Sequence, residues 1–206
     1  MTWYHSIALI AFVLCLAGLT YHLIRLIRLG SPNDYSRQRG NVTAAVAYSF
    51  LGAMNPRKKE SAYLHLPTYA AGLLYHGGTF ISIVLFPLLF ANVRIGDIPQ
   101  WSVVGFLTLS VGSGIGMFLK RITVGTIRSL SNPDVYLSNL LVTLFQLATL
   151  LTMVQDGFAV YYFVSVSLLL LYLPVGKLKH ALYFFAARYH LGLFYGWRGI
   201  WPLRRT

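Results

Sequence analysis

The chain has 206 residues, is 56% hydrophobic and only 11% charged, and carries a net charge of +12. A soluble domain usually has about a quarter charged residues, so the composition argues against an ordinary soluble protein. The basic residues lie between apolar blocks, which argues against a nucleic-acid partner despite the charge. The single cysteine, Cys15, excludes an internal disulfide and a thiolate metal site.

Five long apolar segments predict an all-α integral membrane bundle of five transmembrane helices, with residues 1–206 as a single domain. The expected helices cover residues 3–29, 66–91, 99–119, 136–154 and 157–190. Each can cross about 30 Å of hydrocarbon at about 1.5 Å per residue. The first lacks preceding basic residues and a small-residue cleavage site, so we expect a retained helix.

The basic residues predict the orientation of this bundle. Sixteen of the 17 basic residues lie in the last part of, or after, the first, third or fifth predicted helix, and these segments are all predicted on the same side of the membrane. Arg94, between the second and third helices, is on the other side. Positive charge marks the cytoplasmic side, which predicts an outside N-terminus, a cytoplasmic C-terminus and a cytoplasmic loop at residues 30–63. Within this loop, residues 42–54 are mildly amphipathic and predict either a surface helix or a docking surface for a soluble partner.

Histidines are the main candidates for chemistry, because no acidic residue falls in mid-membrane and a transporter site is therefore disfavoured. His76 lies about ten residues into the second helix, beside Gly77 and Gly78, which leave space for something large and flat. His180 follows the apolar core of the fifth segment. Two imidazoles from antiparallel helices suit a b-type haem, and separately hydrogen-bonded histidines are the alternative.

Other residues suggest further parts of such a site. His65 and His190 lie ten or eleven residues from the first pair, a spacing that allows a second haem. Near the cytoplasmic boundary, Arg25, Arg28, Lys177 and Lys179 are candidates for haem propionates, and snorkelling is the alternative. His5 is expected to be structural and His22 to support a quinone or a propionate. Candidate quinone-lining aromatics are Tyr69, Tyr75 and Tyr183.

Three glycines in the third helix, Gly112, Gly114 and Gly116, allow close approach of another helix or of a flat ligand. Motifs for nucleotide binding, hydrolysis and paired thiols are absent from the sequence. The remaining candidates are therefore a redox subunit, a cofactor-free anchor and, less favoured, a small transporter.

The ordered set of motifs resembles the respiratory nitrate reductase gamma-subunit superfamily. The motifs are Leu-Tyr-His76-Gly-Gly, Leu-Pro-Val-Gly-Lys-Leu-Lys-His180 and Arg128-Ser-Leu-Ser-Asn-Pro-Asp-Val-Tyr. Two more, Asn55-Pro-Arg-Lys-Lys-Glu-Ser-Ala-Tyr and Phe194-Tyr-Gly-Trp-Arg-Gly-Ile-Trp-Pro, are similar to the haem b membrane subunits of sulfite-reductase-associated and heterodisulfide-reductase-like complexes.

The resemblance implies a haem b membrane subunit of a bacterial or archaeal cytoplasmic membrane, with His76 and His180 as the axial pair. It implies electron transfer between menaquinone or another quinone and a cytoplasmic, heterodisulfide-reductase-like iron–sulfur subunit, with membrane lipid around the helices. Such a chain is non-catalytic alone or a quinone oxidoreductase subunit of a larger complex. The positions of the superfamily's outer haem ligands hold Phe86 and Tyr162, so an outer haem is not expected.

Overall fold

The computed structural model describes residues 2–30, 34–56, 62, 64–93 and 95–202. It is 81% helix, and the described residues contain no strand. The predicted all-α class is therefore confirmed. Some basic residues used to predict the orientation lie outside the described residues: Arg57, Lys58, Lys59, Arg94, Arg204 and Arg205.

The helices follow the apolar segments closely. They are α1 (Trp3–Arg28), α2 (Val42–Phe50), α3 (Leu66–Phe90), α4 (Asp97–Thr123), the short α5 (Gly125–Ser129), α6 (Pro133–Val154), α7 (Ala159–Tyr172) and α8 (His180–Trp197). Four of them, α1, α3, α4 and α6, are each long and apolar enough to span a membrane. A fifth span is reached if the bent pair Asp156–Tyr172 and Lys177–Trp197 counts as one.

The prediction of one continuous helix over residues 157–190 is wrong. Helix α7 ends at Tyr172, and a turn and the 3₁₀ helix Lys177–Lys179 precede α8. Pro174 has no amide hydrogen and cannot continue a helix. A side chain at Gly176 would collide with the Tyr172 ring, so glycine is required there. The local sequence thus breaks the helix just before His180.

The chain forms two compact units where one domain was expected. The first contains Met1–Gly18 and Pro67–Leu178, and the second contains Leu19–Leu66 and Lys179–Thr206. Helix α1 therefore contributes its first part to one unit and its last part to the other.

In the first unit α6 is the central helix, because it has nine buried residues, more than any of its neighbours. It packs against α4 and α7. Asn132 caps its start by accepting a hydrogen bond from the Val135 amide at 3.1 Å, and Pro133 occupies the first turn, where a missing amide hydrogen does no harm. The aromatic core of the unit lies between α6 and α7, around Phe145 and Tyr162.

The break after α7 is held in place by contacts within the first unit. A Cβ on Gly18 would lie 2.7 Å from Pro174 Cβ, so α1 passes directly against the break. The Tyr172 hydroxyl donates to the Asp134 carbonyl at 3.1 Å, and the Asp134 carboxylate accepts from the Lys177 amide at 3.2 Å. These contacts fix the backbone that leads into His180.

In the second unit α2 packs closely against α8. A Cβ on Gly192 would lie 2.5 Å from Val46 Cα, and one on Gly196 would lie 2.6 Å from Ala45 Cβ. The two glycines are four residues apart on α8, which is the small-residue spacing that brings helix backbones together. Asn41 caps α2 by accepting from the Ala44 amide at 3.0 Å.

The segment before α2 is tied to the end of α8. The Arg198 guanidinium pairs with the Asp34 carboxylate at 2.7 Å, and Trp197 Nε1 donates to the Ser36 carbonyl at 2.6 Å. Hydrogen bonds from the Ser36 hydroxyl and amide, with the charge of Arg198, lower the pKa of Asp34 below its usual value. This ionised carboxylate therefore helps to hold the loop on α8.

We expect Gly192→Ala to destabilise the second unit by about 1 kcal/mol, since the new methyl group would overlap the α2 backbone and the short α2 helix must shift. Gly112→Ala is the matched control, because a Cβ there meets nothing within 4 Å. Denaturant titration of both variants in detergent, followed by circular dichroism, checks this. Equal midpoints for the two variants would contradict the close α2–α8 packing.

Candidate functional site

His76 lies on α3, about 15 Å along the helix from its start. Its side chain is exposed, whereas the adjacent Tyr75 is buried. The helix thus turns Tyr75 into the unit and His76 outward.

The glycines beside His76 serve helix packing, which corrects the expectation that they leave space for a flat ligand. A Cβ on Gly77 would lie 2.9 Å from the Phe106 ring, and the position beside Gly78 is filled by Ser110. Helix α4 occupies both positions. On α4 itself, Gly114 accommodates the Tyr75 ring, while Gly112 and Gly116 meet nothing within 4 Å.

Tyr75, which is predicted to line a quinone site, has a structural role in joining two helices. Its contact with a quinone stays a prediction. Its hydroxyl donates to the Asn139 carbonyl at 2.9 Å and lies 3.1 Å from Thr143 Oγ1, so it joins α3 to α6. The neighbouring polar residue, Gln146, is fully buried. Its Nε2 donates to the Tyr75 carbonyl at 2.9 Å, and its Oε1 accepts from the Ser110 hydroxyl at 2.7 Å.

Phe86 and Tyr162, which occupy the positions of the superfamily's outer haem ligands, lie in the aromatic core. Tyr162 is fully buried; its ring stacks on Phe145 at 6.1 Å and meets Phe163 edge-on at 5.0 Å. Phe86 packs against the same cluster. Phe86 has no atom that can ligate iron, and Tyr162 is enclosed by aromatic rings; that the outer haem is missing stays a prediction.

His5 belongs to this aromatic packing. Its ring centroid lies 4.3 Å from that of Phe163 and 5.5 Å from that of Phe90, and its Nδ1 lies 2.6 Å from Thr2 Oγ1. These contacts agree with the expected structural role.

His180 is the first residue of α8, directly after the break, and its side chain is exposed. It belongs to the second unit and His76 to the first, and the pairing of the two rings stays a prediction. Both donors fit a haem chemically, because each is an accessible imidazole on an apolar helix.

The second predicted pair, His65 and His190, lies in the second unit, and both side chains are exposed. In the described part of the chain, no hydrogen bond or ring contact joins them. The second haem therefore stays a prediction that no contact supports.

The basic candidates lie at helix ends. Arg25 and Arg28 occupy the last turn of α1, and Lys177 and Lys179 form the 3₁₀ helix before α8. Cations at these ends are favoured by the helix dipole of α1 and by snorkelling to the boundary. Their contact with propionates stays a prediction.

The structure brings together two residues that the sequence suggested separately. His22 Nδ1 lies 3.3 Å from the Tyr183 hydroxyl, and the ring centroids are 6.1 Å apart. Both belong to the second unit. An imidazole N–H or a phenol O–H is a hydrogen-bond donor of the kind that a quinone carbonyl oxygen accepts.

Sequence reasoning missed the two packing features that organise the units. Gln146 is an amide near the middle of an apolar helix, and Gly192 and Gly196 form a G-x-x-x-G motif; both signals could have been recognised. No three His, Cys, Asp or Glu side chains converge as metal ligands within the described ranges. Axial ligation of a haem iron needs only two side chains.

No protein-family model matches the chain, and no similar chain was found among curated proteins or solved structures. The fold therefore defines the class alone: an all-helical chain with four to five helices long and apolar enough to cross a membrane, as in a multi-pass membrane protein.

Proposed function

We propose that the chain is the haem b membrane subunit of a respiratory electron-transfer complex in a bacterial or archaeal cytoplasmic membrane. It passes electrons between a membrane quinone, such as menaquinone, and a cytoplasmic iron–sulfur partner subunit. His76 and His180 are the axial ligands of one haem. The bound haem supplies one-electron chemistry, and the chain supplies its ligands, burial and position.

The observation that carries this proposal is the exposure of His76 half-way along a membrane-length helix. Polar rings are costly in hydrocarbon, so a histidine in this place is a functional residue by default. The break before His180 adds support. Backbone that departs from a helix at membrane depth is tolerated where it is covered by protein or lines a site, and here α1 and α6 hold it in place.

The distribution of charge supports the proposed orientation, with the N-terminus outside and the C-terminus cytoplasmic. Twelve of the 17 basic residues fall in the sequence ranges of the second unit, against two acids, Asp34 and Glu60. A basic cytoplasmic surface attracts a partner with acidic patches and steers its approach. The partner must supply the iron–sulfur centres, since the chain has one cysteine.

The quinone contact that the geometry favours is the pair His22 and Tyr183, rather than Tyr75. The first two residues lie within 3.3 Å of each other at one end of α1, whereas the hydroxyl of Tyr75 is engaged with α6.

A cofactor-free membrane anchor is the second candidate function. It is favoured by the way Phe106, Ser110 and Tyr75 fill the glycine positions on α3 and α4. These contacts fill the glycine positions beside His76, and the alternative proposal of a bound haem therefore uses the exposed side of α3.

Haem stoichiometry separates the candidates. The full-length protein is purified from membranes of a haem-sufficient host, and its haem is quantified as the pyridine haemochrome against the protein concentration. We expect one haem b per chain. Two haems would support the additional pair His65 and His190, and the absence of haem would favour the anchor.

A further inference from the structure

A groove opens on the first unit where α4 ends and α6 begins. Its volume is about 580 Å³, and residues of both helices and of the connection between them line it: Phe118, Arg128, Ser131, Pro133, Tyr136, Leu137 and Leu140. Because α4 and α6 are both of membrane length, their shared end lies at the boundary between hydrocarbon and water. The groove therefore faces the membrane interface on either orientation of the chain.

One end of the groove is cationic. Arg128 is exposed, and its guanidinium has no hydrogen bond or ion pair within the described part of the chain. Nη1 of Arg121 donates to the Ser131 hydroxyl at 3.4 Å. The buried Nε of Arg121 has no hydrogen-bond partner among the described residues. The nearby carboxylate of Asp134 accepts from the Lys177 amide instead. The positive charge at this end is thus available to an anion.

The other end of the groove is apolar. Leu137 and Leu140 are each 44% exposed on the first two turns of α6. Leu140 lies about 10 Å along the helix from Pro133, toward the middle of the span. Phe118 and Tyr136 form the wall between the two ends, with their rings edge-to-face at 6.0 Å. Aromatic residues of this kind are typical of the interfacial layer.

We propose that this groove binds an anionic phospholipid, with the phosphate on Arg128 and an acyl chain along Leu137 and Leu140. A planar guanidinium is well suited to a phosphate oxygen pair. The backbone amides at the start of α6 contribute little to phosphate binding. Pro133 has no amide hydrogen, and the Val135 amide donates to the Asn132 side chain. The cation suits the phosphate of the headgroup, the aromatic wall suits the interfacial region, and the exposed leucines suit the acyl chain. This inference is independent of the haem proposal.

The test is native mass spectrometry of the full-length protein in detergent, titrated with phosphatidylglycerol and with phosphatidylcholine of the same acyl chains. We expect the wild-type protein to prefer phosphatidylglycerol. Arg128→Gln is expected to lower that preference about fivefold, the effect of one interfacial charge. Leu140→Trp fills the apolar end and is expected to weaken binding of phosphatidylglycerol.

Two matched controls accompany these variants. Arg37→Gln removes an exposed arginine of the second unit, and Leu109→Trp enlarges an exposed leucine of α4 outside the groove. Both are expected to bind phosphatidylglycerol as the wild-type protein does. If Leu140→Trp fails to fold, the comparison of Arg128→Gln with Arg37→Gln still decides the proposal.

Several results would overturn the proposal. An unchanged preference in Arg128→Gln would show that Arg128 does not bind the headgroup. Displacement of the lipid by millimolar inorganic phosphate, with Leu140→Trp behaving as wild type, would show a free-anion site. Equal binding of the two lipids to the wild-type protein would remove the basis for an anionic ligand, and would leave the groove to a neutral occupant.

Discussion

Replacing His76 with alanine is expected to remove the haem and leave the fold intact. The side chain is exposed on α3 and fills no position in the core, so its removal takes away an axial ligand without leaving a cavity. Loss of one of the two axial ligands leaves the haem held only by the remaining ligand and by contacts with the porphyrin. We expect the haem content of the purified variant, measured as the pyridine haemochrome, to fall by roughly tenfold or more.

His5→Ala is the matched control for this prediction. His5 is also a histidine of an apolar helix, but it packs against Phe90 and Phe163 and was assigned a structural role. We expect His5→Ala to keep its haem while losing some thermal stability. A His76→Ala protein that retains the haem content of the wild type would show that the ligand assignment is wrong.

Replacing Gln146 with leucine is expected to destabilise the first unit by about 2 kcal/mol. The buried amide makes hydrogen bonds to the Tyr75 carbonyl, to Thr79 Oγ1 at 2.8 Å and to the Ser110 hydroxyl. Hydrogen bonds between membrane helices contribute about 0.6 kcal/mol each on average, so the loss of three gives this magnitude. Titration with a denaturing detergent, followed by circular dichroism, measures the change.

Gln100→Leu is the comparison for Gln146→Leu. Gln100 makes one side-chain hydrogen bond, from Nε2 to the Met153 carbonyl at 2.6 Å, near the other end of α6. We expect Gln100→Leu to destabilise the first unit by about a third as much as Gln146→Leu, because one hydrogen bond is lost where Gln146→Leu loses three. Equal destabilisation by the two substitutions would contradict the idea that Gln146 joins three helices.

The sequence predicts the membrane-length helices well because the bilayer sets their length and composition. The observed bounds of α1, α3, α4 and α6 differ by a few residues at most from the expected ranges. The mild amphipathicity of residues 42–54 predicts either a surface helix or a docking surface, and helix α2 ends at Phe50, short of residue 54. The residue after the helix is Leu51, whose amide donates to the Ala47 carbonyl, and hydrophobicity alone does not locate such an end.

The prediction of the fifth segment was wrong because hydrophobicity continues through a backbone break. Pro174 and Gly176 are visible in the sequence, but a proline is tolerated within other membrane helices, as Pro87 is within α3. What distinguishes the two positions includes a tertiary contact, because Pro174 lies against Gly18. These two residues are far apart in the chain, and their contact is not recorded in any local pattern.

The candidate site was predictable in its residue types and less so in its surroundings. A histidine in mid-membrane is a functional candidate by default, so the sequence alone is enough to single out His76 as a candidate. The role of its neighbours could be assigned only from the structure. Gly77 and Gly78 are equally suited to a ligand and to a helix, and only the positions of Phe106 and Ser110 show that α4 occupies the space.

The optical spectrum of the purified protein after reduction with dithionite tests the central claim most directly. The account predicts a sharp alpha band typical of a six-coordinate b-type haem in the wild-type protein. It further predicts that the band is lost in His76→Ala and in His180→Ala, whereas His5→Ala keeps it. A wild-type protein from a haem-sufficient host that shows no such band would contradict the proposed function.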